Sequence, residues 1–510
     1  MQATLTSKSS VPFELSFNDF IFQKYRLVIW ITPVYLVTQF AIFKLFYPYP
    51  NFIPDSYGYL ESAMYNWDIS IWPVGYSKFL RIFSALTNSD NALVLVQYLF
   101  LEAATLYFVF TILYQLRPGK LVSYALIVFS VINPLLLSIS NYVSTDALFT
   151  GASLIWVVQL LWILYRPRPL HIWTHAIALL IAFTMRYNAL YYPFVAVIAF
   201  MISRLPWRTK IAGIALSVLF IGTFIWHCGN KYKELIGVRQ FSAFGGWQMA
   251  SNALFMYSQI NDDSDATPAQ FATLHKITRR HMDSLKNIKN RPDSVLGIYY
   301  LWDADSPLRK YMKSKWSNDE HESLKFEHWA KLSKLYSAYG LYLIRKHPLP
   351  FAKYYLLPNT INYYIPPAEF LDFYNVEGNN VRPLAMVWFE YKSTRIKGPF
   401  PKTKIFSWYS ILITFGNGLF FYSVVMFLIL KKTKTSDTRF LKNLLFLNIL
   451  WIANFFFSVF SSPIVLRYQI FPMIFFLSYG ISLLECVLKA DTKTDKHVYT
   501  TTYSPFGLFI

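Results

Sequence analysis

Stretches of about 20 apolar residues, enough to cross a hydrocarbon core as a helix, recur along this chain, and the two-residue alternation of strands is absent. The pattern predicts about ten spans: roughly 26 to 46, 90 to 114, 120 to 138, 146 to 165, 171 to 186, 188 to 203, 209 to 227, 405 to 430, 440 to 460 and 464 to 487. The expected fold is an all-α polytopic membrane protein. The fifth and sixth spans are short and are compatible with a single re-entrant pair; removing both leaves the orientation of everything downstream unchanged. Two long segments interrupt the apolar pattern, 47 to 89 and 228 to 404, and the second is large enough for a soluble domain. Three regions follow: a transmembrane module over 1–227 containing the 47–89 loop, a mainly helical extracytoplasmic and interfacial region over 228–404, and a three-span module with a cytoplasmic tail over 405–510. Within the middle region, 266–290 reads as polar helix and 348–374 as an aromatic, proline-bearing interfacial stretch.

Composition agrees with lipid as the solvent. The 510 residues are 55% hydrophobic and 19% aromatic but only 15% charged, well below the quarter usual in soluble proteins. The net charge of +20 raises nucleic acid as a partner. Much of that charge lies in short connections between apolar runs, and no nucleic-acid-binding motif accompanies it, so the class is excluded. Lys and Arg resist translocation, which makes the connections holding Arg117 and Lys120, Arg166 and Arg168, Arg204, Arg208 and Lys210, and Lys431, Lys432, Lys434 and Arg439 cytoplasmic. The 47–89 and 228–404 segments then face outward. Residues 1 to 20 lack the features of a secretory signal, so the first apolar run is expected to stay as an anchor. Cys228 and Cys486 fall at opposite faces and are not expected to pair. No internal repeat stands out.

Ionisable groups at span ends are costly and mark candidate chemistry. Four fall on the outward edge: Asp55 in PDSYGY, Asp146 in SNYVSTDALF, Arg186 in TMRYNALYYP and Arg467 in SPIVLRYQIFP. Each has a bland reading as well. Asp146 suits an ordinary helix-start acid, and the arginines suit snorkelling to headgroups beside their tyrosines. Their convergence favours chemistry: arginine for a phosphate, aspartate for a hydroxyl proton. Glu61 joins Asp146 as a candidate for positioning an acceptor or a metal. Arg345 and His347, in LIRKHPLPFAKYY, interleave with aromatics at an expected interface and are candidates for donor-phosphate contact, with lipid headgroups as the plainer role. His321, Glu322, Glu327 and His328 read as a polar helical patch rather than a metal site, and no HExxH or CxxC motif occurs.

The succession PDSYGYLESA, WPVGYSKFL, NPLLLSISNYVSTDALFTGASL, MRYNALYYPF and LRYQIFP resembles the GT-C superfamily of membrane glycosyltransferases, in particular the bacterial protein-mannosyltransferase-like branch with RgtA-type members. The resemblance covers the first seven spans best. It implies a seven-span module that holds a polyprenyl-phosphate sugar donor in a bacterial inner membrane, with the active site on the periplasmic or exterior side. It further implies Asp55 as the catalytic base, Asp146 in the place of an acid that is more often Glu, and Arg186 and Arg467 as donor-phosphate contacts. The acceptor would be a lipid, a glycan or a protein. Asp55 is followed by Ser56 and not by Glu, a departure from the eukaryotic protein mannosyltransferases. A divalent cation that replaces or assists the arginines is left open. The rival functions are a flippase or transporter of a lipid-linked sugar, which would want charges near the bilayer midplane, and a membrane-anchored assembly protein.

Overall fold

A computed structural model of the protein describes residues 15–262, 267–286, 288–295, 297–316, 325–396, 398, 404–430 and 437–499. His321, Glu322, Lys431, Lys432 and Lys434 lie outside the described residues. Among those described, the protein is helical and has no β-strand. In chain order the helices of the first half are α1 (Phe17–Lys24), α2 (Arg26–Phe46), α3 (Pro54–Met64), α4 (Gly75–Ser84), α5 (Asp90–Leu116), α6 (Lys120–Ile132), α7 (Pro134–Ser140), α8 (Asp146–Tyr165), α9 (Pro169–Met185), α10 (Tyr192–Ile202) and α11 (Trp207–Ile236). Those of the second half are α12 (Phe244–Tyr257), α13 (Ala272–Leu285), α14 (Tyr299–Trp302), α15 (Pro307–Lys315), α16 (Lys325–Lys346), α17 (Pro348–Phe351), α18 (Leu357–Tyr364), α19 (Pro383–Trp388), α20 (Trp408–Ile429), α21 (Thr438–Ser461) and α22 (Ile470–Tyr499).

Among the described residues eight helical segments are long and apolar enough to cross a membrane: α2, α5, α6 with α7, α8, α11, α20, α21, and the segment Leu466–Lys489 that leads into α22. Two shorter apolar helices, Pro169–Met185 and Tyr187–Ile202, occupy the places of the expected fifth and sixth spans, so the count of ten includes two elements of less than full length. Their shortness has a local cause. Arg186 adopts an extended backbone between them and ends the first, and a 3-10 turn at Tyr187–Tyr191 begins the second.

Burial sorts the spans. α8 is apolar on every face, and 94% of its most apolar stretch is buried, which makes it the centre of the bundle; α2, at 11%, turns its side chains to the lipid. Where the third span breaks at Asn133–Pro134, the Asn133 side-chain oxygen Oδ1 caps α7 by accepting from Leu135 N–H and also accepts from the Tyr409 hydroxyl, so that a backbone donor freed by the break keeps a polar partner inside the bundle.

The 228–404 segment divides in two. Residues from Tyr232 to Tyr355 build a second apolar core around Trp247, Trp329 and Tyr336, forming a cap over the bundle end that carries the 47–89 loop. α12 and α16 form its spine, and Gly246 lets them close: a Cβ there would collide with the Ser333 carbonyl. Farther along, Ala368, Leu371, Val381 and Ala385 pack instead into the bundle core. Cys228 and Cys486 are both free thiols.

Candidate active site

Irregular backbone at the capped end delivers the site. Asp55 lies in the first turn of α3, where Pro54 needs no N–H partner and a carboxylate is favoured by the helix dipole; the Ser56 hydroxyl accepts from Ile53 N–H to fix the entry. Asp146 opens α8. Arg186 stands at the break after α9, and Arg467 in a 3-10 turn, Leu466–Gln469, ahead of α22.

The four meet. Asp146, 1% exposed, accepts from Arg186 Nη1 at Oδ1 and from the Ser144 hydroxyl at Oδ2, and Arg467 Nη1 lies 3.5 Å from that same Oδ2. Arg467 Nη1 is 3.7 Å from Asp55 Oδ2, and the Tyr468 ring lies 4.5 Å from the Arg186 guanidinium and 4.9 Å from that of Arg467. Asp146 is therefore more than a helix-start acid, because it clasps both arginines from beneath. Neither arginine snorkels to a headgroup, since their side chains are 13% and 8% exposed.

A fifth member went unnoticed in the sequence. Glu369 Oε2 lies 3.4 Å from Arg467 Nε, and its backbone is held at φ +52°, a left-handed conformation that a glutamate rarely adopts. Its signal was faint, an acid after Pro366–Pro367 and three residues ahead of Asp372 in an aromatic stretch. Three carboxyls thus face two guanidiniums. The cluster holds one carboxyl more than it has guanidiniums to pair with. Burial pushes Asp55 above the ordinary aspartate range, with Asp146 adding to the shift and Arg467 and Arg186 opposing it. Burial also raises Glu369, against the pull of Arg467.

Hydrogen bonds stitch the supporting loops together. Asn51 Oδ1 accepts from Asn375 N–H at 2.7 Å, Asn375 Oδ1 accepts from Phe52 N–H at 2.6 Å, and Asn51 Nδ2 donates to the Phe373 carbonyl. The Asn51 backbone bonds Asn141 and Val143, just ahead of α8, and Leu466 N–H donates to the Pro367 carbonyl. The segments bearing Asp55, Asp146, Glu369 and Arg467 are registered on one another by these bonds. No family model, curated protein or solved structure matches this chain.

Other candidates fall elsewhere. Arg345 is exposed at the end of α16, and His347 Nε2 pairs with Asp262 at 3.0 Å, alongside Lys346 at 2.7 Å. Neither lines the cavity described next: Asp262 of the cap's own loop draws His347 and Lys346 to itself, and Arg345 lies on the exposed side of that helix end. Glu61 is exposed at the far end of α3. Glu327 pairs with Lys331, and His328 stacks on Trp316. Among the described residues no group of three or more His, Cys, Asp or Glu side chains is arranged to hold a metal ion.

A cavity of about 770 Å³ lies between bundle and cap, with Asp55, Arg186, Glu369 and Arg467 along one side. Phe457, Phe460 and the half-exposed Leu190 line its bundle side, and α12 and α14 roof it. Trp72, also on its wall, sits where a Cβ on Gly58 would be, which explains the glycine in PDSYGY. The indole cannot easily retreat, since it stacks on Trp302 at 5.9 Å. Gly58→Ala gains about 1 kcal/mol of helix propensity but incurs about 1–3 kcal/mol of overpacking. A fall in the apparent melting midpoint is expected, measured on detergent-purified protein; an unchanged or higher midpoint would show that Trp72 is free to move.

Proposed function

We propose that the protein is a membrane glycosyltransferase that moves a sugar from a polyprenyl-phosphate-linked donor to a hydroxyl or amine acceptor on the extracytoplasmic face, by an inverting displacement. The observation that carries this reading is the pairing of the cavity-lining carboxyls Asp55 and Glu369 with two largely buried guanidiniums at the polar side of a large, mostly apolar cavity, Asp55 being the one held on the first outer loop. Such a cavity suits an amphiphile whose head is anionic. In the displacement Asp55 takes the acceptor proton, the acceptor oxygen or nitrogen bonds the anomeric carbon, and the bond from that carbon to the phosphate oxygen breaks. The electron pair leaves with the lipid phosphate, whose charge Arg186 and Arg467 stabilise through N–H groups not committed to carboxylates.

Placement of the cluster at helix ends, away from the middle of the spans, speaks against the flippase alternative, which would want its charges near the midplane. The test uses liposomes holding the full-length protein and a set of synthetic polyprenyl-phosphate sugars, with donor consumption and product anomer followed by mass spectrometry and NMR. Consumption of one donor with inversion is expected. Movement of an intact donor between leaflets without consumption would assign the protein to transport instead.

A further inference from the structure

The side of the cavity opposite the bundle differs in kind from the charged cluster. Its described lining from α12, α14 and the residues around them includes Ser242, Phe244, Gln248, Asn252, Leu301 and Trp302, and contains no ionisable acid or base. Every ionised lining group belongs to the cluster already described. Whatever contacts the roof is uncharged where it touches.

Two features give that roof a specific chemistry. Its aromatic part is rigid: Trp247 stacks on Trp329 at 3.7 Å, Trp329 on Trp302 at 5.3 Å and Trp302 on Trp72 at 5.9 Å, with the Arg309 guanidinium 4.6 Å from the Trp329 ring. Trp302 and Trp72, the end of this ladder, line the cavity. Its polar part is oriented. Asn252 Nδ2 donates to the Phe460 and Ser461 carbonyls, and its own carbonyl oxygen accepts from Gln248 Nε2 at 2.7 Å. The Gln248 amide is fixed by that bond, and its carbonyl oxygen accepts nothing from the described residues. A fixed indole beside an oriented, uncharged amide matches the two needs of a pyranose ring, apolar C–H groups on its face and hydroxyls on its edge.

We infer that the roof of the cavity is a subsite for a neutral sugar ring, so that the acceptor is a glycan rather than a peptide or a simple lipid. This inference rests on the transferase reading for the word acceptor. An extended peptide would leave its backbone N–H and C=O groups facing Phe244, Leu301 and Trp302 unpaired, whereas a sugar presents an apolar face to them.

Saturation-transfer NMR on the detergent-purified full chain tests it, using uncharged di- and trisaccharides of glucose, galactose, mannose and N-acetylglucosamine, and an uncharged Ser/Thr hexapeptide as the contrasting probe. At least one saccharide is expected to bind. Binding should weaken about tenfold or more in Gln248→Leu and in Trp302→Leu and persist in Trp302→Phe, which keeps an aromatic face, with helical circular dichroism unchanged. Because Trp302 packs on the cap core, Gln248→Leu decides the matter if Trp302→Leu fails to fold. Absence of saccharide binding, equal binding by Gln248→Leu, or hexapeptide binding that this variant abolishes would overturn the subsite. Saccharide binding without transfer from any polyprenyl-phosphate donor would keep the subsite and remove the transferase; transfer to a peptide or lipid without saccharide binding would do the reverse.

Discussion

Asp146→Ala is expected to lower stability by about 3–5 kcal/mol, the usual cost of removing one partner from a buried ion pair. Asp146 is 1% exposed and is the only carboxylate among the described residues within ion-pair distance of Arg186, so the substitution strands a guanidinium with 13% of its surface open. Arg467 loses one of three carboxylate neighbours and keeps Asp55 and Glu369. The asymmetry gives the prediction a second part. A paired replacement, Asp146→Leu with Arg186→Met, removes both charges and should recover most of the loss, since apolar groups of similar size often replace a buried pair at little cost. Chemical unfolding in mixed micelles, with the two single variants and the double variant forming a cycle, measures the coupling. A coupling below about 0.5 kcal/mol would show that the clasp is not structural.

The same clasp shows how far the sequence could be read. Its four span-end charges were legible because a charge at the end of an apolar run is rare, and counting spans with the loop charges assigned all four to one shared edge. Even the two short spans did not disturb that parity. Distances were not legible, and so Asp146 could be read as only an ordinary helix-start acid. Glu369 was hidden for a different reason. It belongs to no span, and its segment reaches Arg467 through contacts distant in sequence, among them the bond from Leu466 N–H to the Pro367 carbonyl, the Tyr142 hydroxyl on the Phe370 carbonyl, and the Asn51–Asn375 exchange across more than 300 residues of chain. Arg345 and His347 show the opposite error. Basic residues among aromatics signalled an interface, but the pattern could not say which way the helix end points, and Asp262 takes His347 and Lys346. The division of 228–404 was invisible likewise, because a cap core and a bundle core draw on the same aromatic and aliphatic residues.

Asp55→Asn separates function from stability in the other direction. On the proposed transferase reading a general base at Asp55 would supply about 10²–10⁴-fold in rate, and the amide cannot take a proton, so sugar transfer should fall by that factor. Stability should not fall with it. Burial raises the Asp55 carboxyl above its ordinary range, so the folded state prefers the protonated form. Its contribution to stability is therefore fully present below the unfolded value, about 4, and is lost as pH rises through the higher folded value. An asparagine pays no such ionisation penalty. The melting midpoint of Asp55→Asn should match wild type near pH 4 and exceed it at neutral pH, the gap opening as pH rises. In the wild type, transfer should climb over that same interval as the base loses its proton, a coincidence a purely structural carboxylate would not produce. Full activity in Asp55→Asn would remove Asp55 as the base. A lower midpoint at neutral pH would instead make the carboxylate a stabilising partner of Arg467 across the 3.7 Å that separates them.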